Sequence, residues 1–87
     1  MKTITELTPV NGRKSFNGKA RLIQTETGKY LLSYNTIVAG QVDGDIHRYW
    51  DGRSNTTSTH IASFLAAVGK DMSTKQFYSL PVEQADI

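Results

Sequence analysis

Thr36-Ile37-Val38-Ala39-Gly40-Gln41-Val42-Asp43-Gly44-Asp45-Ile46-His47-Arg48-Tyr49-Trp50 decides the fold. Two runs rich in β-branched and aromatic residues flank Asp43-Gly44, a dipeptide that accepts the positive φ of a two-residue hairpin turn. The stretch therefore reads as antiparallel strands, Thr36 to Val42 and Asp45 to Trp50. Upstream, Ala20 to Thr25 and Lys29 to Tyr34 form a second such pair, joined by Glu26-Thr27-Gly28. Its alternation is out of phase, because Tyr30, Leu32 and Tyr34 share one face while Leu31 opposes them. That pattern implies strands buried on both faces, or a bulge that shifts the register.

Downstream the periodicity changes from strand to helix. Ile61, Phe64, Leu65 and Val68 fall at i, i+3, i+4 and i+7, a complete apolar stripe. The Ser and Thr residues between 54 and 58 supply N-cap candidates, Thr56 or Thr57 foremost, and Gly69 ends the helix. Ser73 and Gln76 have the spacing of a capping box for a short second helix. Met72 and Phe77 have that of the accompanying hydrophobic staple, and Leu80-Pro81 stops the helix.

These elements predict an α+β fold. A small antiparallel sheet of about four strands, in two hairpins, packs against a C-terminal amphipathic helix plus a short second helix. Eighty-seven residues make a single domain, 1–87. Residues 1–10 read as an extended arm or edge strand, since Pro9 argues against a central one. Residues 82–87 read as a polar, frayed tail.

Composition narrows the chemistry. A chain this short buries only about 60–65% of its unfolded surface, so no cofactor-sized cavity is expected. Cys is absent, which removes disulfides, thiolate metal sites and thiol catalysis. No signal-like or membrane-spanning apolar run occurs, so a cytoplasmic placement without membrane contact is expected. Net charge is +2, unevenly spread. Residues 1–35 carry six bases and two acids, while residues 36–87 carry four bases and six acids.

Four constellations are candidate sites. Arg13, Lys14, Lys19 and Arg21 cluster around Phe16 within a loop bracketed by Asn11-Gly12 and Asn17-Gly18. Such a loop suits phosphate contacts with a stacked base, or is an ordinary solvated hairpin loop. It is not a Walker loop, because five residues separate Gly12 from Gly18 and Ala20 follows Lys19. Asp51, Ser54 and His60 include the residue types of a nucleophilic triad. Ser54 lacks the elbow that would expose it, and a hydrogen-bonded corner explains the segment better. His47 and His60 lie near Asp43, Asp45 and Asp51 but lack chelating spacing, so no metal is expected. The fourth is an aromatic and basic group, Tyr34, Arg48, Tyr49, Trp50 and Arg53, of the residue types that dominate protein interfaces. A helix-turn-helix reader is disfavoured, since the second helix carries only Lys75 as a base.

Three segments carry a resemblance. Gly12-Arg13-Lys14-Ser15-Phe16-x-Gly18-Lys19-Ala20 is followed by Ser33-Tyr34-Asn35-Thr36-x-Val38-Ala39. Then comes Arg48-x-Trp50-Asp51-Gly52-x-Ser54-x-Thr56-Thr57-x-x-His60-Ile61-x-x-Phe64. Their order and spacing resemble a family of small uncharacterised proteins of phages, prophages and mobile elements. Arg53, where that pattern has an aromatic, and Asn55, where it has a small residue, depart from it. The resemblance implies a phage-type origin and carries over no catalytic residue. The resulting expectation is a non-enzymatic accessory protein in the host cytoplasm. It would bind a host, defence-system or phage macromolecule, most sharply as an anti-defence or host-takeover inhibitor. Nucleic-acid binding through residues 11–21 is the alternative. A homodimer is a further expectation, since an edge strand or exposed aromatic patch favours self-association.

Overall fold

The structure, a computed structural model, describes residues 2–7 and 19–85. The chain forms β1 (Thr3–Glu6), β2 (Ala20–Gln24), β3 (Gly28–Ser33), β4 (Thr36–Val42), β5 (Asp45–Arg48), α1 (Asn55–Ala67) and α2 (Thr74–Tyr78). The strands make one antiparallel sheet in sequential order, β1 to β5. The α+β class and the two hairpins are as the sequence predicts; among the described residues the strand count is five rather than about four. The additional strand is β1, paired from Thr3↔Gln24 to Glu6↔Arg21. Its four residues are all exposed, so they carry no apolar alternation to announce a strand. β2 supplies the ladder that holds it.

Each turn follows its local chemistry to a different degree. Asp43 and Gly44 both take positive φ, 54° and 83°, as a two-residue turn requires. Between β3 and β4 the first turn residue, Tyr34, also takes positive φ, at 56°. An L-tyrosine there is held against its steric preference. Its amide donates to the Lys19 carbonyl at 2.7 Å, a bond outside the hairpin that helps hold it.

The uneven alternation resolves into a bulge. Leu31 pairs with Ala39 but Leu32 with Ile37, leaving Val38 as the extra residue. Both Val38 and Ala39 are thereby buried in the core. One sheet face carries Ala20, Leu31, Ala39 and Ile46 and packs against Ile61, Phe64 and Leu65 of α1 and Phe77 of α2. Full burial of Phe64 and of Phe77 contributes roughly 2–3 kcal/mol each. The apolar stripe read from the sequence is this contact, with Val68 half-buried at its end.

Ser54, not Thr56 or Thr57, is the N-cap of α1. Its backbone is extended, and its Oγ accepts from the Thr57 amide at 3.1 Å. Thr56 and Thr57 already lie inside the helix, and Thr57 is buried. The capping box of α2 forms as its spacing predicts, with Ser73 Oγ accepting from the Gln76 amide and Gln76 Oε1 from the Ser73 amide. Within the segment expected to fray, Val82 bridges Arg48 in parallel and the Glu83 amide donates to the Arg48 carbonyl at 2.7 Å. Residues 86–87 lie outside the described residues.

Candidate binding surface

The five residues of the aromatic and basic group occupy three places. Strand alternation separates them first. Arg48 pairs with Ala39 on the helix-facing side, so Tyr49 turns to the opposite face and Trp50 returns.

Tyr34 stands at the tip of the β3–β4 hairpin, 47% exposed. The Lys19 ammonium lies 5.9 Å from its ring centroid. An Arg21 guanidinium N–H donates to the Tyr34 carbonyl at 3.3 Å. Arg21 Nε is shielded from solvent and has no acceptor among the described residues. The Tyr34 ring lies tilted at 45° against the imidazole of His60, 5.8 Å between centroids. His60 is buried and its Nδ1 hydrogen-bonds Ser33 Oγ at 2.8 Å. The tip is thus an exposed aromatic ring set on a buried polar pair, with Lys19 over the ring and Arg21 on its backbone carbonyl.

Arg48 faces inward and is occupied. Its guanidinium donates to the carbonyls of Trp50 at 3.0 Å, Tyr78 at 2.9 Å, and Leu80 and Asp51 at 3.4 Å each. These bonds fasten the β5–α1 connection to the end of α2. Arg48 and Arg53 both lie against the Tyr78 ring, 5.2 Å and 4.7 Å from its centroid. Arg53 itself is exposed. Trp50 packs against the core, half-buried, and its indole covers Gly52 so closely that a Cβ there would meet the ring. Tyr49 lies on the helix-free face, near-parallel to His47 at 6.2 Å and tilted against Tyr30 at 6.1 Å. His47 in turn meets Glu83 at 2.7 Å. Tyr30, Tyr49, His47 and Glu83 line a cleft of about 270 Å³. Tyr34 and Arg53 are therefore the two exposed members of the group, and Tyr78 is a contributor the sequence reading left out.

Of the basic loop, Lys19 and Arg21 are described and both lie beside Tyr34. Arg13, Lys14 and Phe16, with both Asn-Gly pairs, lie outside the described residues. The three triad residue types do not share a network: Ser54 Oγ serves the helix cap, and His60 Nδ1 meets Ser33 instead. Among the described residues, no three His, Asp or Glu side chains converge as a metal site would require. Nor is any described helix long and apolar enough to cross a membrane.

An antiparallel meander backed by two capped helices, with an exposed tyrosine at one hairpin tip, defines a small α+β domain. The chain belongs to a family of unknown function, DUF8033, whose pattern matches residues 5–79. No curated protein and no solved structure matches it significantly.

Proposed function

We propose that this chain is a small non-enzymatic accessory protein of phage or mobile-element type. It acts by binding a host, defence-system or phage macromolecule, and its sharpest form is an inhibitor of a host or defence protein, working in the host cytoplasm. The observation that carries the reading is Tyr34, whose ring is 47% exposed on a backbone at φ 56°. That conformation costs an L-residue roughly 1 kcal/mol. Strain of this kind concentrates where a side chain is presented to a ligand. Glycine would fill the turn without it; tyrosine adds an exposed ring there. Tyr and Arg are also the residue types that concentrate binding energy, and Arg53 supplies a second exposed contact. The resemblance described above supports the phage-type origin.

The test is capture from host lysate by immobilised wild-type chain and by Tyr34→Gly, which removes the ring and suits the backbone. The expected result is a specific partner held by the wild type and lost by the variant. Equal capture by both, or no specific partner, would sink the reading.

The nucleic-acid alternative has its own observation. Lys19 lies over the same ring and Arg21 bonds the backbone carbonyl of the same residue. Cations beside an exposed aromatic suit a stacked base and its phosphates, with Arg13, Lys14 and Phe16 in the preceding segment. This reading predicts single-strand binding that weakens steeply with salt. Absence of binding at low salt removes it.

A further inference from the structure

The sheet has two edges, and the chain treats them differently. The β5 edge is engaged by its own tail through the Arg48↔Val82 bridge and the Glu83 amide. Among the described residues no strand pairs with the outer side of β1: all four of its residues are exposed, and Ile4 is 51% exposed. An open edge presents unpaired N–H and C=O groups and is a template for another strand.

The direction of those groups follows from the ladder. Leu7 donates its amide to the Ala20 carbonyl at 3.0 Å, so that opposed pair is hydrogen-bonded. Hydrogen-bonded and non-bonded pairs alternate in an antiparallel ladder. Thr5↔Leu22 and Thr3↔Gln24 are then bonded pairs, and Glu6↔Arg21 and Ile4↔Ile23 are not. The backbone groups of Glu6, Ile4 and, one step further, Lys2 point away from β2, toward the open edge. The side chains of the same three residues share the helix-free face with Ile23 and Tyr30.

We propose that this edge pairs with β1 of a second copy, antiparallel, about a two-fold axis through Ile4. In that register every outward backbone group from Lys2 to Glu6 meets a complementary one. Ile4 packs on its symmetry mate, and Lys2 of each copy lies opposite Glu6 of the other. Moving the axis to Thr3 would set Ile4 against Lys2, and moving it to Thr5 would set Ile4 against Glu6. The register through Ile4 is the one that matches charge with opposite charge and apolar with apolar. Charges on an edge strand ordinarily repel a second strand; here their opposite signs, placed symmetrically about Ile4, favour it. The result is a continuous ten-stranded sheet with the Tyr34 tips left free, so dimer formation is independent of partner binding.

Sedimentation of the untagged chain between about 5 and 500 μM tests this, a range suited to an interface at the small end of the size scale. The expected result is concentration-dependent dimerisation. Lys2→Glu and Glu6→Lys each weaken it about ten-fold, because symmetry counts each reversed pair twice. The doubly exchanged chain, Lys2→Glu with Glu6→Lys, returns to within about three-fold of wild type. Circular dichroism of each variant matches the wild type, since both residues are exposed. A chain that stays monomeric throughout, a dimer indifferent to the single changes, or a double variant no tighter than the singles would overturn the proposal.

Discussion

Tyr34 sets backbone strain against the binding contact proposed for its ring. Its backbone favours glycine, while its ring reaches His60, Lys19 and solvent. Tyr34→Gly removes the strain and the ring together. Relief of roughly 1 kcal/mol is partly offset by the lost ring contacts. Thermal unfolding is therefore expected to shift between no change and about 5 °C upward, while partner capture disappears. A fall in Tm would show that the ring is there for packing. Gly40 illustrates the opposite constraint. A Cβ there would lie 2.7 Å from Tyr30 and 2.8 Å from Tyr49, ring atoms that pack across this position. Gly40→Ala is expected to destabilise by about 1–3 kcal/mol, read by chemical denaturation. The sequence marks Gly40 as a glycine within a strand and nothing more; the two rings meet it only because strand pairing brings β3 and the residue after β5 alongside β4.

Among the elements, α1 and the strands differ in how openly the sequence announces them. The apolar stripe of α1, the capping box of α2 and the Asp43-Gly44 turn are local patterns, and all three stand in the structure as read. The start of α1 is less plain, because several hydroxyl residues compete within one segment. Ser54 wins since its extended backbone aims Oγ at the Thr57 amide. Ser54→Ala is expected to cost about 1 kcal/mol, whereas Thr56→Ala, exposed within the first turn, should stay within about 0.5 kcal/mol of wild type. Denaturant midpoints of the two variants make the comparison, and equal losses would contradict the assignment. β1 was legible only as an arm or edge strand, since a short, fully exposed strand takes its structure from its neighbour.

At the scale of the whole molecule, Arg48 joins segments far apart in sequence. Four backbone carbonyls, from Trp50, Asp51, Tyr78 and Leu80, converge on its guanidinium, and its own backbone holds the C-terminal segment. Lysine keeps the charge but not the planar fork that reaches several acceptors at once. Arg48→Lys is accordingly expected to lose about 2 kcal/mol, near 10 °C in Tm. Hydrogen exchange at the Glu83 amide should accelerate with it. An unchanged Tm with unchanged exchange would show that the clamp is dispensable. The sequence placed Arg48 among the surface contacts because Arg beside Trp and Tyr is a common interface composition. What it could not show is that α2 returns to offer carbonyls to that side chain.

Periodicity, capping residues and turn dipeptides act over a few residues, so the α+β class, both hairpins and both helices are legible in the chain before it folds. Residue type alone grouped Tyr34 with Arg48, Tyr49, Trp50 and Arg53, and set the basic residues of the preceding loop apart as a second candidate. Tertiary structure alone decided which aromatics and cations meet. Strand alternation sends Arg48 and Tyr49 to opposite faces, the bulge at Val38 places two successive residues in the core, and the β3–β4 turn brings Tyr34 to Lys19 and Arg21. These outcomes depend on register and on the return of distant segments, set by the sum of many weak contacts rather than by any short stretch of chain.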